Sequence, residues 1–121
     1  MQQTGKDTPV IIVTHIPLFS ILSQLFGDPR KGVNKEGLVN NAHAVRKLFA
    51  KRTIKLVLSG HGHLLERIDF GGISYIQGGA VCGNWWRGPI LGNPEGFGVV
   101  TCRADGSFAF DYRSFGWKVI A

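Results

Sequence analysis

The chain has 121 residues, 44% hydrophobic and 18% charged, a composition that excludes an intrinsically disordered polypeptide and suits one globular domain over residues 1–121. Its formal charge is +6, which favours anionic partners without choosing among phosphate compounds, nucleic acid and acidic lipid. No apolar run approaches a membrane span and the opening "MQQTGKDTP" has no signal-peptide core, so the expectation is a cytoplasmic protein with no membrane partner.

In chain order, "TPVIIVTH" is a continuous apolar run ending in polar residues, the pattern of a buried strand with His15 at its carboxyl end. The following "IPLFSILSQLFGDPRKGVNKEG" is long for a connection. It reads either as a lid, with a short apolar helix within 18–26, or as a surface loop packed on itself. Its Arg30, Lys31 and Lys35 suit a solvated charged loop better than an anion-steering patch.

Leu38, Ala42, Val45 and Phe49 then recur at helical spacing, with Asn40 or Asn41 available as a cap. Arg46, Lys47, Lys51 and Arg52 come late, predicting an amphipathic helix with a basic outer face. His43 falls on its flank and is expected to be exposed.

"KLVLSGH" repeats the first arrangement, a short strand running into a histidine. Residues 9–63 therefore read as strand-helix-strand, with both histidine sites converging at one sheet edge. The pattern changes in 64–121. Alternating runs around Gly71-Gly72 and around Asp105-Gly106 predict two β-hairpins. Cys82 and Cys102 lack paired spacing and are expected to be buried free thiols.

His61 and His63, flanked by Gly60 and Gly62, together with His15, form the constellation that carries chemistry. Neutral imidazole ligates transition metals, and glycines on either side of His61 would let both side chains approach one point. The plainer alternative is that His61 and His63 cap a strand end by hydrogen bonding. Asp28, Glu66 and Asp69 are available as oxygen ligands but read more readily as surface or turn carboxylates. Trp85, Trp86 and Arg87 are candidates for a substrate site. Packing is favoured for one tryptophan, and the other is left open.

"VIIVTHIP" followed by "LVLSGHGH" resembles the last two metal-binding blocks, V-x-x-H and G-H-x-H, of the calcineurin-like metallophosphoesterases. The tail "GGAVCGNWWRGPILGNPEGFGVVTCRADGSF" looks like the closing strands of bacterial members. The resemblance implies an α+β fold, the C-terminal half of a four-layer α/β/β/α sandwich. It further implies metal-dependent hydrolysis of phosphomonoesters or phosphodiesters at two divalent ions, manganese, iron or zinc. His15 and His61 would bind one ion and His63 the other.

The family's D-x-H, G-D-x-x-D and G-N-H-E blocks are absent. Fourteen residues precede His15, and Asp7 is the sole carboxylate among them. Three imidazoles without a bridging carboxylate leave two adjacent dications underneutralised, so one metal or none is expected in this chain alone. The reading is thus a truncated phosphoesterase, active only when a second copy or a complementary N-terminal half-chain supplies the other ligands. Its alternatives are a non-catalytic scaffold acting through oligomerisation and a basic polyanion-binding module. The last explains none of the histidines, and no nucleic-acid-reading motif is present.

Overall fold

The computed structural model describes residues 4–26 and 37–120. Asp28, Arg30, Lys31 and Lys35 lie outside them. Among the described residues the fold is mixed α/β, mostly strands in two sheets with two short helices.

Strand β1 (Pro9–Val13) is followed by α1 (Leu22–Phe26), α2 (Ala42–Phe49) and β2 (Thr53–Ser59). β3 (Leu65–Phe70) and β4 (Ile73–Gly78) come next, then β5 (Phe97–Cys102) and β6 (Phe108–Arg113). The larger sheet has the order β1-β2-β4-β3, with β1, β2 and β4 parallel and β3 antiparallel to β4. β5 and β6 form a separate antiparallel ribbon.

Both expected hairpins are present. Gly71 and Gly72 have φ of 60° and 77°, the positive pair that a two-residue turn matched to strand twist requires. The strand-helix-strand unit is also present, with β1 and β2 neighbours in parallel.

One face of the larger sheet carries the core. Val10 and Ile12 of β1, Ile54 and Val57 of β2, Ile73 and Tyr75 of β4 and Ile68 of β3 pack with Phe49, Val45 and Ala42 of α2, and with Leu18 and Phe19. The register shift between Val10 and Ile11 puts Ile54 and Val57, three residues apart, on this same side. Fully burying a side chain such as Ile54, Val57 or Phe49 contributes about 1.5–3 kcal/mol.

On the opposite face Leu56 and Ile76 are 1% exposed, and the ribbon lies against this side. Arg67 stands over the Phe108 ring, Gly106 approaches Pro9, and Tyr112 crowds Gly79.

The helix departs from expectation in two respects. Asn41 occupies the N-cap position but its side chain makes no capping hydrogen bond, and Leu38 precedes the helix. Arg46 does not belong to a basic outer face. Its Nε donates to the Tyr75 hydroxyl at 3.1 Å and its guanidinium lies over the Phe19 and Phe70 rings. The long aliphatic stem reaches the sheet while the head finds aromatic faces, a placement that sequence spacing alone does not encode. His43 is exposed, as expected.

Both cysteines are free, but neither is buried. Cys82 is half-buried in a loop and Cys102 is exposed at the end of β5, which has the larger sheet on one side only. Among the described residues no helix is long and apolar enough to cross a membrane.

Candidate metal centre

The parallel pairing of β1 and β2 continues past the strands through two backbone bonds, Thr14 N–H to the Leu58 carbonyl and Gly60 N–H to the His15 carbonyl, each 3.0 Å. This extension brings the two histidine-bearing loops together at the carboxyl ends of adjacent strands, where ligand sites of parallel sheets form. His15 Nε2 and His61 Nδ1 are 3.1 Å apart, their rings edge to face with centroids separated by 5.0 Å. Both side chains are exposed.

A pair of nitrogens at this spacing has two chemical uses. One imidazole can donate its N–H to the other, or two lone pairs can face one cation. Two nitrogens each about 2.0–2.1 Å from a shared ion lie roughly 2.9–3.4 Å apart for angles between octahedral and tetrahedral, and the observed separation falls inside that range.

His63 goes elsewhere. Its Nδ1 lies 2.7 Å from the Gly83 carbonyl, which can only accept, so Nδ1 carries a proton and, in the neutral ring, Nε2 keeps its lone pair. Fixing the tautomer through a backbone carbonyl is how metal-binding histidines are commonly oriented. The imidazole also stacks on Trp85, with centroids 4.2 Å apart and planes 28° from parallel.

The local backbone corrects the expected role of the glycines. The positive φ values belong to His61 (71°) and His63 (57°) themselves, a conformation that costs roughly 1–2 kcal/mol per non-glycine residue. In this geometry His61 turns to His15, and His63 to Gly83 and Trp85.

Gly62 is required for a different reason. Its N–H donates to Oε1 of Gln77 at 3.0 Å, and an added Cβ would stand 2.7 Å from that oxygen. Gln77 is 1% exposed, and its Nε2 donates to Ser20 Oγ at 3.0 Å and to Glu66. The buried amide therefore ties the histidine loop to β4, β3 and the segment before α1. Sequence reasoning missed it, although a glutamine closing the apolar run "ISYIQ" is a buried-polar signal.

The carboxylates do not join the histidines. Glu66 accepts from Gln77 and from the Ile21 amide. Asp69 accepts from Ser74 and pairs with Arg67, and the Ser74 hydrogen bond, with help from Arg67, holds its carboxyl below the usual range. Among the described residues no group of three or more His, Cys, Asp or Glu is gathered where it could hold a metal. A cleft lined by Pro9, Lys55, Cys102 and Phe108 lies at the amino ends of β1 and β2, the far end from the histidines.

The two tryptophans separate. Trp86 packs edge to face on Trp117 at 5.2 Å, whereas Trp85 is 60% exposed beside His63. Arg87 is exposed next to them. The tail carrying Trp117 is held by Glu95, which is 6% exposed and accepts from Ser114 Oγ and the Trp117 amide, each at 2.8 Å.

No protein-family model, curated protein or solved structure matches this chain.

Proposed function

We propose that this chain is the C-terminal half of a calcineurin-like metallophosphoesterase sandwich. It would hydrolyse phosphomonoesters or phosphodiesters when further ligands reach its histidines from outside these 121 residues. The observation that carries this reading is the His15–His61 nitrogen pair, 3.1 Å apart at the ends of neighbouring parallel strands.

His15 Nε2 and His61 Nδ1 would hold one divalent ion, manganese, iron or zinc, and His63 Nε2 would face a second. Such ions supply polarisation of a phosphoryl oxygen and acidification of the attacking water. The chain's own residues orient these ligands. Gly83 sets the His63 tautomer, Trp85 holds the ring plane, and Gln77 anchors the loop between the two histidines.

Among the described residues β1 is an edge strand, bonded to β2 alone. A strand added beside it would bring its own end next to His15, the position from which carboxylate ligands are needed. Val13, on that edge, is 75% exposed and Ile11 is 40% exposed, an apolar margin suited to a second copy or a complementary N-terminal half-chain.

A scaffold without catalysis is the second reading, favoured by the lack of any gathered three-residue ligand group among the described residues. Elemental analysis of protein dialysed against manganese and zinc, with hydrolysis of bis-p-nitrophenyl phosphate, separates the two. Metal uptake that His61→Ala abolishes, with ester hydrolysis that it abolishes too, supports the phosphoesterase. Inactivity with every divalent ion, both alone and with an N-terminal half of the fold supplied in trans, leaves the scaffold.

A further inference from the structure

The loop after β4 displays Trp85 in an unusual way. Trp85 and Trp86 are consecutive bulky residues with φ of 48° and 64°, values rarely adopted by side chains of this size. Three backbone bonds close the loop: Trp86 N–H to the Cys82 carbonyl (2.7 Å), Asn84 N–H to Gly88 and Arg87 N–H to Asn84 (2.9 Å each). Trp86, 48% exposed, packs its ring edge to face on Trp117. Trp85 does not turn inward. One face lies on the His63 imidazole, and the side chain is 60% exposed.

An uncommon backbone conformation that holds a large aromatic out in solvent, stacked against a candidate ligand histidine, is the arrangement of a preorganised binding surface. We propose that the outward face of Trp85 is a stacking platform for a planar aromatic group of nucleobase type, carried by the phosphate ester whose phosphate sits at the histidine centre. The proposal rests on the phosphoesterase reading and narrows its substrate class to nucleotides. Trp85 stands directly on His63, ring centroids 4.2 Å apart, so a stacked base and a phosphate at His63 would be held by neighbouring side chains, and the chain's net charge of +6 favours such an anion. Base–aromatic stacking is sequence-tolerant and strong enough to change affinity about tenfold.

The test is calorimetric titration of the whole chain with AMP, ribose 5-phosphate and adenosine, with zinc present and with chelator, beside a determination of bound metal. The wild type should bind AMP about tenfold more tightly than ribose 5-phosphate. That preference should shrink to within about twofold in Trp85→Ala, return in part in Trp85→Phe, and persist in Trp86→Phe. Quenching of wild-type tryptophan fluorescence by AMP and adenosine, but not by ribose 5-phosphate, gives the same answer should Trp85→Ala not fold.

Equal binding of AMP and ribose 5-phosphate, a preference that survives Trp85→Ala, or no binding of any of the three overturns the platform. Metal uptake with phosphate binding but no AMP preference removes the platform and leaves the phosphoesterase reading. Adenosine stacking on Trp85 with no metal uptake, both alone and with an N-terminal half of the fold supplied in trans, removes the phosphoesterase reading and leaves the platform.

Discussion

The backbone amide of Gly62 donates to Oε1 of Gln77 across 3.0 Å, joining the turn between His61 and His63 to a side chain that is 1% exposed. The bond sets where the histidine loop sits on the sheet. A methyl group at Gly62 would stand 2.7 Å from the oxygen, and Gln77 is held by two further bonds that oppose its retreat. Gly62→Ala should therefore lower stability by about 1–3 kcal/mol through overpacking, and Gln77→Leu by a similar amount by leaving the Gly62 donor and the Ser20 and Glu66 acceptors unpaired. Urea unfolding of both single variants and the double variant is the measurement. A double loss well below the sum of the singles confirms one shared contact, whereas strict additivity contradicts it.

Arg46 links α2 to the sheet through the Tyr75 hydroxyl and the Phe19 and Phe70 rings. Arg46→Lys keeps the charge but loses the planar head and the Nε donor. A loss of about 1 kcal/mol in thermal or denaturant unfolding is expected. Lys47→Ala, on the exposed side of the same helix, should change stability by no more than about 0.5 kcal/mol. Equal effects at the two positions would contradict the docking of Arg46 on the sheet.

Glu95 governs the attachment of the C-terminal tail. The Ser114 hydroxyl, with the Trp117 amide, holds its carboxyl below the ordinary glutamate range. A pKa lower in the folded than in the unfolded chain means that ionised Glu95 stabilises folding. That contribution is complete above the unfolded value, and it is lost as pH falls through the folded one. Tryptophan emission should accordingly shift on acidification below the usual carboxylate range as Trp117 leaves Trp86, while far-ultraviolet circular dichroism stays constant. Glu95→Gln, whose single amide oxygen can accept both bonds but does not titrate, should suppress that shift. An unchanged acid transition in this variant counts against the role of Glu95.

The β1 margin is expected to associate. Val13 is 75% exposed on a strand with one open edge among the described residues, and such edges pair unless charged. Light scattering across a concentration series should show a rising mass for the wild type, and Val13→Lys should restore the monomer mass. A constant monomer mass for the wild type at every concentration rules out self-pairing through this edge.

Much of the scaffold was legible in the residues alone, because hydrophobic period and turn chemistry are local. The apolar run before His15, the helical spacing from Ala42 to Phe49 and the turns at Gly71-Gly72 and Asp105-Gly106 each encode an element within a few neighbours. That the two histidine loops converge also followed from strand, helix, strand, since parallel neighbours end on the same side.

What only the tertiary structure decided rests on contacts between distant residues. The partners Gly62 and Gln77 are 15 residues apart, His63 and Gly83 are 20 apart, Arg46 and Tyr75 are 29 apart, and His15 and His61 are 46 apart. Spacing along the chain determined that three imidazoles lie near one edge. Packing decided that His15 and His61 face each other while His63 turns to Gly83 and Trp85, because side-chain direction depends on positive φ values and on a buried amide that no periodicity announces.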